Sequence, residues 1–178
     1  MMKKNYVQKM VLSALFLALG MIMPFLTGQI QQFGNMLLPM HIPVILCGFI
    51  CGPWWGLAVG ATTPLLRSLL MGMPPLFPIA IVMAFELSTY GFLAGMLYKF
   101  FSKTKLSLYV ALLTSMIGGR IVWGIGASVF YTMAGIPFGW PMFLAGAFLT
   151  AWPGILLQLI VIPPIIGSLQ KKGYIISK

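Results

Sequence analysis

Acidic residues are all but missing from this chain: it has no Asp and a single Glu, Glu86. That excludes an intramembrane aspartyl protease, which needs two carboxylates. Histidine is as scarce, with His41 alone, so a His-Glu-x-x-His metalloprotease site cannot be assembled. Nothing resembling a nucleophile elbow gives His41 a hydrolytic serine partner. The two cysteines, Cys47 and Cys51, lie four apart in an apolar run. That spacing puts them on one helical face, where they read as small buried apolar residues. With one His and one Glu for company they fall short of the about four ligands of a structural zinc site. Charge of either sign is sparse, at 7% of residues against about 25% in soluble domains. Neither an enzyme nor a cofactor-binding protein is expected.

What fills the chain instead is apolar. Of its 178 residues 60% are hydrophobic, and the mean hydropathy is +1.01. The expectation is an all-α integral membrane protein, a single transmembrane domain over 1–178 embedded in the lipid bilayer. The net charge of +10 is not a nucleic-acid footprint. The basic residues are not mixed into a polar surface but sit at the ends of apolar runs, where they set topology.

Six spans are predicted. The first, about Val7 to Thr27, follows Lys3 and Lys4 and is too long for a signal-peptide core, which is about 7–15 residues. A polar uncharged loop, Gly28 to Asn35, comes next. The second span, Met40 to Gly52-Pro53, is short enough to need tilt or shielding by neighbours. The third runs from Trp54 to Met71 with Pro64 inside it, and the fourth from Phe77 to Phe100 with Pro78 in its first turn. The fifth covers Leu106 to Ala134. After the breaker-rich loop Gly135 to Pro141, the sixth covers Met142 to Gly167, with Pro153, Pro163 and Pro164 expected to bend it. The termini and the 99–105 loop carry every Lys, and the three opposite loops carry no Lys or Arg. The positive-inside rule then gives a six-helix bundle, N-in and C-in.

Topology leaves three charged residues unexplained, because Arg67, Arg120 and Glu86 lie inside spans. A charge at the bilayer centre costs roughly 2.5–3.5 kcal/mol. One Glu–Arg pair is the structural explanation, and it leaves one Arg over for an anionic or strongly hydrogen-bonding ligand. Trp123 follows Arg120 by three residues and shares its face. His41, Trp152 and Asn35, with Gln31 and Gln32, are further candidates for a pocket at the outer face. Trp140 reads as an interfacial anchor, and Gln158 as a hydrogen-bonder between helices. Small residues recur four apart: Ala14 and Ala18; Gly48, Gly52, Gly56 and Gly60; Gly91 and Gly95. Such spacing lets helix backbones approach closely.

Several stretches carry a resemblance to a known family. They are Ala14-Leu15-Phe16-Leu17-Ala18, His41 to Phe49, Pro64 to Ser68 with Gly72 to Pro78, Ala84 to Gly91, and Gly119 to Gly124. Together with size and topology, they make the chain resemble the substrate-binding S-component of an energy-coupling factor (ECF) vitamin transporter. The resemblance implies that Ala14 and Ala18 dock a transmembrane coupling subunit. It also implies that spans four to six and the outer loops hold a vitamin, and that the body topples in the membrane once joined to that subunit and two ATPase subunits. No Walker A sequence is present here, so ATP hydrolysis would belong to those partners. The resemblance does not choose the ligand. A spare Arg leans towards a carboxylate such as pantothenate, and a pocket-facing Glu towards pyridoxine or hydroxymethylpyrimidine. The reading from a different class is a non-transport membrane protein, such as an assembly factor or small channel.

Overall fold

The computed structural model describes residues 2–27, 34, 36–101 and 104–171. These are helical, with no strand among them. Helix α1 (Met2–Ile22) ends in a 3-10 turn, Met23–Thr27. Then come α2 (His41–Cys51) and α3 (Pro53–Met71). A π turn, Leu76–Ala80, leads into α4 (Ile81–Phe100). The longest helix is α5 (Lys105–Met133). The last apolar stretch is broken into α6 (Trp140–Leu144), a π turn (Ala145–Leu149) and α7 (Trp152–Lys171).

The boundaries have local causes. Gly52, at φ 107°, reverses the chain between α2 and α3, and Pro53 opens α3, where its missing N–H costs no helical bond. Gly72 closes α3 in the left-handed conformation at φ 71°, which a residue with a Cβ adopts reluctantly. Thr104 and Ser107 cap α5 reciprocally, each hydroxyl accepting from the other's backbone N–H at 3.2 and 3.1 Å. In the last stretch the interruption falls at 145–151. Helix α7 takes Pro153 in its first turn and continues through Pro163 and Pro164.

Four stretches are long and apolar enough to cross a membrane: Asn5–Phe25, Leu76–Phe100, Leu106–Met133 and Trp140–Lys171. Helix α2 is shorter, with all eleven residues buried, as a helix shielded by neighbours must be. It packs against α1, α3, α4 and α7, while α4 also packs against α3 and α5. Helix α3 is not among the four; Arg67, two Thr, two Pro and two Gly dilute its apolar content. Helix α5 shows the division of faces clearly. Leu113, Ile117, Ile121, Ile125 and Val129 form an exposed stripe at four-residue spacing, while Ala111, Leu112, Ser115, Met116 and Arg120 are buried.

The repeated glycines are the seam of the bundle. A Cβ on Gly48, Gly56, Gly60, Gly91 or Gly95 would run into the backbone of a facing helix. At Gly95, for example, it would stand 2.6 Å from the Gly48 carbonyl oxygen. Contact this close lets α2, α3 and α4 pack backbone to backbone, the use small-residue spacing has in membranes. Cys47 and Cys51 are buried and free, with the Cys47 Sγ 3.5 Å from the Ser13 Oγ of α1.

Candidate functional site

The glycine seam fixes where the polar side chains of α4 point. Glu86 and Tyr90 are one turn apart on the buried face of the helix whose Gly91 is pressed on Gly56. Across from them, Gly119 of α5 makes room for the Tyr90 ring, since a Cβ there would sit 2.9 Å from it. Gly119 is followed at once by Arg120. On the other side, the backbone of Met36 and Leu37 lies against Gly154 in the first turn of α7; a Cβ on Gly154 would stand 2.6 Å from the Met36 carbonyl oxygen. Gln158 follows Gly154 by one turn, and Leu38, at φ 49°, leads directly to His41 at the start of α2.

Three helices thus bring together His41, Glu86 and Arg120, and Gln158 of α7 is buried as they are, each of the four 5% exposed or less. Arg120 Nη1 lies 3.0 Å from Glu86 Oε1, and His41 Nε2 lies 3.5 Å from the same oxygen. The His41 and Tyr90 rings meet edge to face, with centroids 5.1 Å apart, and Tyr90 also lies beside the carboxylate. The Arg–Glu contact is an ion pair by distance but is not aligned as a hydrogen bond. Beside that ion pair Glu86 Oε1 has no aligned hydrogen bond, and the same holds for both nitrogens of His41, Nε and Nη2 of Arg120, and both amide atoms of Gln158. Seven buried polar atoms on four side chains have no hydrogen-bonding partner among the described residues. Each such atom costs about 1–3 kcal/mol if it stays unpaired, so buried groups of this kind call for a physical explanation.

Arg67 does not join this group. Its Nη1 donates to the Met21 carbonyl oxygen at 2.6 Å, near the C-terminal end of α1, and its guanidinium lies over the Phe25 ring at 5.3 Å. The carbonyls that end a helix lack intrahelical donors and carry partial negative charge, which a cation there satisfies. Arg67 therefore ties α3 to α1, and Glu86 pairs with Arg120.

Trp123 shares the Arg120 face but packs into an aromatic group, 5.8 Å from Phe138 and stacked on Phe143 at 6.2 Å. Phe143 in turn lies against Gly124, and Trp123 against Gly146, so α5 and the broken sixth stretch interlock. Trp140 stacks on Phe143 from an exposed position. Trp152 is not brought to the cluster: it is 57% exposed, about 120° around α7 from the buried Gln158 at 3.6 residues per turn. Asn35, Gln31 and Gln32 lie outside the described residues. Ala14 and Ala18 sit on the exposed side of α1, beside exposed Val11 and Leu15.

Sequence reasoning assigned Gln158 only a structural hydrogen bond and left Tyr90 out. The available signal was a neutral amide deep in an apolar span, which is weaker than a charge. Among the described residues no set of three or more His, Cys, Asp or Glu is grouped to hold a metal. The cluster offers hydrogen-bond donors and acceptors.

No curated protein and no solved structure matches the chain. The family model described as "ECF transporter, substrate-specific component" matches residues 8–166. Nearly the whole chain, including all four cluster residues, falls within that match, and the chain belongs to the family of substrate-specific components of ECF transporters.

Proposed function

We propose that this protein is the vitamin-capturing subunit of an ECF uptake transporter in a prokaryotic plasma membrane. In this reading the whole chain, 1–178, is one transmembrane domain of six spans, N-in and C-in. Every Lys lies near an end of an apolar stretch, Lys3, Lys4 and Lys9 at the start of the first, Lys99, Lys103 and Lys105 where the fourth gives way to the fifth, and Lys171, Lys172 and Lys178 after the sixth, which supports that orientation. The short α2 and the Arg-bearing α3 complete the six, buried or shielded by the four longer spans.

The ligand is a water-soluble B vitamin or precursor, with pantothenate and pyridoxine- or hydroxymethylpyrimidine-type compounds as candidates. It enters from the outer face and is held by His41, Glu86, Arg120 and Gln158. The observation that carries this reading is the set of seven buried polar atoms without protein partners. The Trp123, Phe138 and Phe143 group closes the outer end of the bundle above it. Transport requires a coupling subunit and two ATPase subunits, with the body toppling to present the ligand inward. The exposed small face of α1 at Ala14 and Ala18 is the docking surface that fits such a subunit. The role is binding and delivery, not catalysis.

The test is to purify the protein in detergent from cells grown on rich medium and identify small molecules released on denaturation. One vitamin or precursor per protein is the expected result. No released ligand, together with no thermal shift across a vitamin panel, would overturn the reading in favour of a non-transport membrane protein.

A further inference from the structure

We propose that the site selects an uncharged ligand carrying both hydrogen-bond donors and acceptors, such as a nitrogen heterocycle with hydroxyl or amino groups, and discriminates against carboxylates. The inference rests on the binding-subunit reading above and narrows its ligand class.

The first ground is charge. The buried charged side chains among the described residues are Arg67, Glu86 and Arg120. Arg67 is held on the Met21 carbonyl and the Phe25 ring, away from the cluster. Arg120 and Glu86 oppose each other at 3.0 Å, so their two charges offset each other. A carboxylate placed on the open Nε and Nη2 edge of Arg120 would bring a second negative charge beside Glu86. A buried charge without a partner is strongly unfavourable, and an uncharged ligand avoids that penalty.

The second ground is the inventory of open atoms. Arg120 Nε and Nη2 and Gln158 Nε2 are donors, Glu86 Oε1 and Gln158 Oε1 are acceptors, and both ring nitrogens of His41 lack a partner as well. A carboxylate only accepts. It would leave Glu86 Oε1 and Gln158 Oε1 unanswered. The Gln158 amide presents a donor and an acceptor side by side, the complement of a ring nitrogen next to an amino or hydroxyl group. Leaving buried groups of the site unpaired is how a polar pocket rejects the wrong ligand.

The experiment is isothermal titration of the purified protein at neutral pH with matched pairs: hydroxymethylpyrimidine and its carboxylate, pyridoxine and pyridoxate, panthenol and pantothenate. Within the pair that binds, the uncharged member is expected to bind tighter by on the order of a hundredfold. Glu86→Gln releases Arg120 and should narrow or reverse that ratio. A carboxylate that binds as tightly as its uncharged partner overturns the inference and leaves the binding-subunit reading standing. An unchanged ratio in Glu86→Gln also overturns it. If Glu86→Gln does not fold, the wild-type ratio decides alone. If no member of any pair binds, the inference falls, and the reading beneath it stands or falls on the released-ligand and vitamin-panel test above.

Discussion

Arg120 Nη1 stands 3.0 Å from Glu86 Oε1, inside a bundle where both side chains are almost wholly buried. A buried ion pair is weak evidence for stability, since an apolar pair of similar volume often does as well, but removing one partner costs about 3–5 kcal/mol. Arg120→Met should therefore destabilise strongly. Glu86→Leu with Arg120→Met should recover most of that loss while abolishing ligand binding. Thermal denaturation in detergent and ligand titration on the two single variants and the double variant measure both effects. A double variant as unstable as Arg120→Met would show that the pair holds the fold rather than the ligand.

Arg67 should behave differently. It bonds the Met21 carbonyl and covers Phe25, so Arg67→Met should lower stability by about 1–3 kcal/mol without changing which ligand is preferred. The check is the melting temperature alongside relative affinities for a matched neutral and anionic ligand. A change in preference comparable to that of Glu86→Gln would place Arg67 at the ligand.

Two glycines make a controlled comparison. A Cβ on Gly91 would stand 2.9 Å from the Gly56 Cα, whereas one on Gly167 would meet nothing within 4 Å. Gly91→Ala should cost about 1–3 kcal/mol or more through forced separation of α3 and α4. Gly167→Ala should be neutral or stabilising by up to about 1 kcal/mol. Equal behaviour of the two would contradict the backbone-to-backbone seam.

Much of this was legible in the sequence, and the rest was hidden for definite reasons. The turn glycines, the prolines that open helices and the four-residue glycine spacing announce helix ends and close crossings directly. Glu86 and Arg120 stand out because a charge in an apolar run demands a partner. Which Arg pairs with Glu86 was not legible: it depends on the end of α1 offering Arg67 a carbonyl, and a backbone acceptor leaves no mark in residue identity. Gln158 carries no charge, so its depth alone argued equally for a structural bond. For Trp152, the sequence announces bends at Pro153, Pro163 and Pro164 but not the interruption just before it at 145–151. The π turn at Ala145–Leu149 shifts the helical register, and rotation about the axis, not depth, decides which side a residue faces.

The docking face gives a prediction independent of the ligand site. Ala14 and Ala18 are exposed on α1, and a large side chain there would hold a partner helix away. Ala14→Trp or Ala18→Trp should abolish vitamin uptake by cells while leaving binding by the purified protein intact. Loss of binding as well would show that these positions serve the fold of this chain rather than its assembly.

The most direct test of the central claim, that His41, Glu86, Arg120 and Gln158 hold the transported ligand, is mass spectrometry of what the purified protein releases on denaturation. Wild type should release one small molecule per chain. The Glu86→Leu and Arg120→Met double variant, purified in the same way and shown to be folded, should release none. An equal amount of the same molecule from the folded double variant would contradict the account, because the ligand would then be held elsewhere.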